Sequence, residues 1–213
     1  MKIAVSAVQG DFAEHINKLK KLGVDGVELR QASDLEQDFD GLILPGGEST
    51  VQGKLLRELH MLEPLKNRME QGLPVLGTCA GLILLAQEIS NDNHVYFGTL
   101  PVCVQRNAYG RQLGSFHTEQ EFAGIGRVPM TFIRAPYVET VLEVGEDVQI
   151  LACVDGRIVA VQSGNQIGVA FHPELDADDR IYEMFLKMCT ETYSEIKKSR
   201  NGQLWLLRQQ ANL

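Results

Sequence analysis

The chain has 213 residues, with 20 glycines, four cysteines and a formal net charge of −8. That length suits one large domain with a sizeable core, the negative balance argues against nucleic acid as a partner, and no apolar run of about 18 residues offers a membrane span. Four cysteines without paired spacing, and without a C-x-x-C zinc pattern, point to a reducing, cytoplasmic setting with no metal or cofactor.

In chain order, Met1-Lys2-Ile3-Ala4-Val5 enters a strand at once, with no signal-peptide pattern. The strand is expected over Ile3 to Val8. A helix follows from Asp11 to Leu22, with Phe12, Ile16, Leu19 and Leu22 on one face. Strands are expected over Gly26 to Leu29 and Gly41 to Leu44, helical segments over Thr50 to Gln71, a strand over Leu73 to Leu76 and a helix over Leu82 to Glu88. From Phe97 to Ala170 the pattern is strand-rich. Asp155-Gly156 makes a hairpin that feeds the apolar run Gln166-Ile167-Gly168-Val169-Ala170-Phe171, read as a buried strand. A closing helix is expected over Asp176 to Tyr193. The alternation predicts a single doubly wound α/β domain, a mixed sheet flanked by helices. Residues 194–213, with Leu204, Trp205 and Leu207, read either as a short amphipathic helix or as a frayed tail of unknown role.

Three local patterns carry chemistry. Gly77-Thr78-Cys79-Ala80-Gly81 lies between a strand and a helix. A nucleophile on such a turn needs small residues two positions either side, the logic of the G-x-S-x-G elbow with cysteine for serine. Unpaired N–H groups at a helix start favour a thiolate. At this glycine frequency such a cysteine arises by chance about 0.04 times. The alternative is a buried structural cysteine, the reading that Cys103, Cys153 and Cys189 receive.

A cysteine nucleophile needs a base, and the base an orienting group. His15 and His60 lie in polar, helix-like stretches and are expected to face solvent. His94 sits in a polar loop, and His117 follows Gly114-Ser115-Phe116 with no role assigned. His172 ends the buried strand before Pro173 and Glu174. In extended chain, residues two apart share a face, so His172 and Glu174 are expected to face one cavity, with Pro173 keeping the chain from turning helical. The third pattern is Leu42-Ile43-Leu44-Pro45-Gly46-Gly47-Glu48-Ser49-Thr50. Its glycines allow close backbone approach to a ligand. An oxyanion needs two N–H donors. Ala80, next after Cys79, supplies one, and the Gly46-Gly47 turn is the source proposed for the other.

Leu-Pro-Gly-Gly-Glu-Ser-Thr, Gly-Thr-Cys-Ala-Gly-Leu-Ile-Leu-Leu and Phe-His-Pro-Glu-Leu, in this order, resemble the class I (triad) glutamine amidotransferases, whose fold is flavodoxin-like. Val8-Gln9-Gly10, Gln105 to Gln112 and Phe132-Ile133-Arg134-Ala135-Pro136 make the chain similar, over residues 1 to 192, to the glutaminase subunits of ribose-5-phosphate-dependent pyridoxal 5′-phosphate synthases. The resemblance implies that residues 1–193 form the glutaminase domain. In it Cys79 would attack the side-chain amide of L-glutamine to form a glutamyl thioester, His172 would be base and then acid, and Glu174 would orient His172. Gly47 and Ala80 would supply the oxyanion N–H groups. Gly46, Gly47, Glu48, Arg106, Arg134 and Ala135 would bind the glutamine. Ammonia would pass to a (β/α)8 synthase subunit in a large hetero-oligomer.

Elementary chemistry agrees in part. Glutamine carries both charges at its α-carbon. Arg106 is a natural fork for the carboxylate and Glu48 a partner for the ammonium, although Arg106 also reads as a surface arginine. Arg134, in an apolar segment, needs a partner, either a ligand or a buried carboxylate. The competing readings are a glutaminase of histidine or purine biosynthesis, another elbow-cysteine hydrolase acting alone, and a catalytically silent binding subunit.

Overall fold

A computed structural model describes residues 1–90, 92–106, 115–142 and 147–194. Four strands carry the site: β1 (Lys2–Ser6), β3 (Gly41–Leu44), β4 (Val75–Thr78) and β12 (Gln166–Val169). With β2 (Asp25–Leu29) they pair in parallel in the order β2-β1-β3-β4-β12. The central strands β3 and β4 are short runs buried on both faces, as a parallel sheet covered by helices requires, while β2 at the edge is partly exposed. Because all run the same way, their C-terminal ends share one edge. The chain leaves β1 toward β2 on one side and leaves β3 toward β4 on the other, and the crevice at such a reversal is where open α/β sheets bind ligands.

The sheet continues through antiparallel and parallel pairs. β11 (Arg157–Ser163) joins β12, β9 (Tyr137–Val141) joins β11, β6 (Leu100–Gln105) joins β9, and β5 (Ala86–Ile89) ends the row parallel to β6. β10 (Val148–Val154) pairs with β11 across the Asp155-Gly156 turn. Both turn residues have positive φ, 49° and 77°, the geometry that matches strand twist in a two-residue hairpin. β7 (Ser115–Phe122) and β8 (Gly126–Ile133) form a separate two-stranded sheet. The expected mixed α/β sheet is therefore present.

Several boundaries differ from expectation. The helical segments expected over Thr50 to Gln71 are two helices, α2 (Ser49–Glu58) and α3 (Leu62–Glu70), separated where His60 takes a φ of 55° and Met61 drops into the core. The helix after the elbow is only α4 (Ala80–Leu85), and the chain then straightens into β5. Ala80 to Leu85 are buried on every side, so no 3.6-residue stripe marks where the helix stops, and pairing with β6 sets the end. The strand before His172 stops at Val169, and Pro173–Leu175 form a 3₁₀ turn. Proline suits the first position of such a turn because its missing N–H would be unpaired there anyway. Helix α1 (Phe12–Lys21) lies close to its expected span, while the closing helix, α5, covers 180–194 rather than starting at Asp176.

Candidate active site

Cys79 sits at the end of β4 with φ 48° and ψ −100°, a conformation that costs a side-chain-bearing residue about 1–3 kcal/mol. The neighbouring glycines hold it there by absence of bulk. A Cβ on Gly81 would lie 2.0 Å from the Leu44 carbonyl oxygen, and one on Gly77 would lie 2.8 Å from the Gly81 backbone. Cys79 is 7% exposed and opens onto a cavity of about 290 Å³ that His172, Gly47, Glu48, Arg106, Arg134 and Asp11 also line. A larger cleft, about 430 Å³, lies against the start of β12 and is lined by groups such as Thr99, Asn165 and Gln166, without the nucleophile.

His172 and Glu174 meet through the turn rather than along a strand. His172 Nδ1 and Glu174 Oε1 are 2.7 Å apart, with Glu174 fully buried at its side chain. Burial acts to lower the His172 pKa, but bonding and charge from Cys79 and Glu174 outweigh it and push it up to about 10. The imidazolium form is thus the resting one. Among the described residues Nε2 has no well-aligned hydrogen-bond partner. For Glu174, burial works to raise the pKa, and the two histidines, His15 first, bring it below its ordinary range.

The Gly46-Gly47 turn packs against this pair. A Cβ on Gly46 would lie 2.4 Å from His172 Cε1, and Gly47 has φ 143°. The Gly46 carbonyl accepts from the Asp11 N–H at 3.1 Å and from Gln52 Nε2 at 3.2 Å, while the Glu48 N–H donates to Gln9 Oε1 at 2.9 Å. A trans peptide points its N–H opposite its carbonyl, so the Gly47 N–H faces away from the Asp11 N–H and Gln52. Ala80 opens α4, where no carbonyl lies one turn back to engage its N–H. Six residues make only a small helix dipole, so these local N–H groups carry whatever anion preference the elbow has.

At the cavity rim, Glu48 Oε1 and Arg134 Nη2 pair at 3.0 Å with side chains 52% and 72% exposed. Arg134 therefore has the partner its sequence context demanded, but the partner is a surface carboxylate, not a buried one. Its φ of 45° turns the chain between β8 and β9. Arg106 donates to Asp92 Oδ2 at 2.8 Å and to Thr50 Oγ1 at 3.1 Å. Gly46 and Ala135 do not line the cavity; Ala135 is buried. His117 bonds Thr131 Oγ1 at 3.0 Å and stays outside the cavity. Asn107 to Gln112 of the Gln105–Gln112 motif, and residues 195–213, fall outside the described residues.

Two histidine and cysteine expectations are corrected. His15 is wholly buried, not solvent-facing. It lies three residues after Phe12 and four before Leu19, on the apolar stripe of α1, and that placement was the readable signal. Cys153 is exposed, whereas Cys103 and Cys189 are buried as expected. Asp11 was also missed as a site residue: its Oδ2 lies 3.6 Å from His172 Nδ1, and burial raises its pKa. Asp11, His172 and Glu174 bring ligand-type atoms within 4.8 Å of one another. A cation there would have to displace the His172–Glu174 hydrogen bond.

The SNO glutamine amidotransferase family matches residues 5–191. The chain belongs to that family. Among family relatives, the pyridoxal 5′-phosphate synthase subunit PdxT of Desulfitobacterium hafniense (strain DSM 10664 / DCB-2) is 64% identical over 186 residues, covering 87% of this chain and 92% of that protein. The protein of the same name from Streptococcus pneumoniae (strain CGSP14) is 55% identical over 194 residues, 90% of this chain and 98% of that one. A solved structure described as a glutamine amidotransferase superposes with a TM-score of 0.82 at 42% identity, over 88% of this chain and 98% of that chain. A Thermoplasma acidophilum structure described as one subunit of a GMP synthase shares the fold, with a TM-score of 0.64 at 21% identity over 93% of this chain and 98% of that chain. Among the described residues no helix is long and apolar enough to cross a membrane.

Proposed function

We propose that the chain is the glutaminase subunit of a pyridoxal 5′-phosphate synthase, releasing ammonia from L-glutamine for a (β/α)8 synthase subunit, with residues 1–193 as the glutaminase domain. Family membership and the identity to subunits of that name support the reading at the level of the reaction. The observation that carries the mechanism is the elbow cysteine opening onto the same cavity as a histidine whose far nitrogen is held 2.7 Å from a buried carboxylate.

Cys79 attacks the side-chain carbonyl carbon of glutamine. His172 takes the proton that leaves the Cys79 thiol and then passes it to the departing ammonia, and Glu174 keeps its ring turned to the sulfur. Water, deprotonated by the now neutral His172, cleaves the thioester and releases glutamate. The Gly47 and Ala80 N–H groups meet the oxyanion. Glu48, Arg106 and Arg134 face the charged α-carbon end, Gly46 spaces the turn from His172, and Ala135 supports Arg134. Glutamate release should be strong with the synthase subunit present and lost in Cys79→Ala. Unchanged turnover in that variant would exclude the mechanism, and turnover indifferent to the synthase subunit would move the chain to another pathway.

A further inference from the structure

His15 is a fully buried imidazole that the triad mechanism does not use. Three elements converge on it from outside its own helix. Its Nδ1 lies 2.6 Å from Tyr182 Oη on α5, and its Nε2 lies 3.2 Å from Thr78 Oγ1, the residue before the nucleophile. The same Nε2 lies 3.6 Å from Glu174 Oε2 on the turn after β12, both side chains having no exposure. Among the described residues that Oε2 has no hydrogen-bond partner of its own, while Oε1 is committed to His172.

The chemistry around the ring selects its tautomer. A lone pair on Nε2 would face the Glu174 carboxylate and be repelled. An N–H there is attracted to it and is shared with Thr78 Oγ1. Nδ1 is then the acceptor, and the Tyr182 hydroxyl donates to it. Tyr182 has its own reason to keep its proton, since burial and Glu174 push its pKa well up. The ionisable groups acting on His15 are Glu174 and His172 from the turn after β12 and Asp11 and Glu14 from its own end of α1, and burial outweighs them to disfavour the charged ring.

We propose that His15 is a positioning residue for the glutaminase reaction: its neutral Nε2–H fixes the outer oxygen of Glu174, and thereby the carboxylate's rotation against His172, and ties it to the strand that carries Cys79. A carboxylate pivots freely about its last bond unless both oxygens are held. With the outer oxygen loose, Oε1 leaves the plane of the His172 ring and the imidazole loses its aim at the sulfur. A neutral histidine does this without adding a positive charge that would compete with the His172 imidazolium for Glu174. The proposal rests on the Cys79–His172–Glu174 reading.

The experiment measures glutamate release by the complex with the synthase subunit for the parent, Cys79→Ala, His15→Leu, His15→Gln and Tyr182→Phe. Leucine removes the donor from an apolar-compatible site, whereas glutamine restores an N–H near the Nε2 position. His15→Leu should lower kcat about 3- to 30-fold, less than a full hydrogen bond to a charged group would carry because the contact spans 3.6 Å, with KM changed less than about two-fold. His15→Gln should recover most of the loss, and Tyr182→Phe should show a smaller drop in kcat. In His15→Leu the alkaline limb of the rate profile should move to lower pH as Glu174 loosens its hold on the His172 proton. A merely structural His15 would give equal losses for leucine and glutamine that track thermal stability, with an unmoved pH profile, and that result overturns the proposal. Normal kcat in His15→Leu, with Cys79→Ala inactive, overturns it while leaving the triad standing. Full activity in Cys79→Ala would overturn both.

Discussion

The two ends of the cavity are built on opposite principles. At the reacting end, His172 and Glu174 are 3% and 8% exposed, enclosed by strand ends, tight turns and the buried face of α1. At the rim, Glu48 and Arg134 are held by one pair of flexible, solvated side chains. Low dielectric strengthens each interaction at the first end and penalises each missing partner. At the second, water screens the pair, and it contributes about 0–1 kcal/mol. Geometry that must be accurate to a fraction of an ångström is therefore buried, and groups that must let a charged substrate in and out are left wet.

That contrast orders the outcomes of mutation. Cys79→Ala should reduce glutamate release by about 10³-fold or more, since it removes the covalent route, while thermal melting stays within a degree or two. Glu174→Ala should cost about 10²-fold, because it removes an orienting group rather than the nucleophile, and it should also lower the melting temperature because the His172 ring loses its buried partner.

The buried end also predicts a pH signature with two opposite signs. His172 is raised from 6.5 to about 10 on folding. Its contribution to stability is full below its unfolded value and fades as pH climbs toward 10. His15 is lowered from 6.5 by burial. Its neutral form is the favoured one, so its contribution is lost as pH falls below its unfolded value. Chemical denaturation across pH should show both flanks, and His172→Asn should erase the alkaline one only. The rate profile should lose activity as pH rises through about 10, where the acid for the departing ammonia disappears. An alkaline flank unchanged in His172→Asn would show that the histidine is not the group titrating.

The elbow tests whether its strain is held by packing. Gly81→Ala sets a methyl 2.0 Å from the Leu44 carbonyl oxygen. Overpacking of this kind costs about 1–3 kcal/mol, roughly 2–12 °C of melting temperature for a chain of this size. Activity should fall with it, because the displaced turn carries Cys79. A melting temperature equal to the parent's would mean the backbone at Leu44 yields.

Legibility in the sequence divides along the same line. The elbow, the Gly46-Gly47 turn and His172-Pro173-Glu174 were legible because each is a contiguous run whose residue types are forced by local backbone geometry. The parallel strands were legible as apolar runs closed by glycine or proline. His15 was not, because its burial is decided by Tyr182, 167 residues away, and a polar residue within a charged helix reads as exposed unless its stripe is checked. The end of α4 was hidden by uniform burial. The 3₁₀ turn was hidden because Pro173 restrains the backbone of His172 before it and leaves Glu174 and Leu175 free to turn. The pairing of Glu48 with Arg134 spans 86 residues and has no local trace.

The rim gives the smallest expected effect and the sharpest test of the contrast. Arg134→Ala removes an exposed pair, so thermal stability should change by less than about 0.5 kcal/mol. If Arg134 and Glu48 serve the α-carbon end of glutamine, KM should rise, by less than about tenfold, with kcat nearly constant, the mark of binding that is the same in ground and transition states. Added salt should weaken glutamine binding in the parent and have less effect in the variant, since screening acts on exposed charges. A fall in kcat at unchanged KM would place Arg134 in the reacting geometry instead, through the turn that Glu48 shares with Gly47, and the wet rim would then be part of the mechanism rather than its doorway.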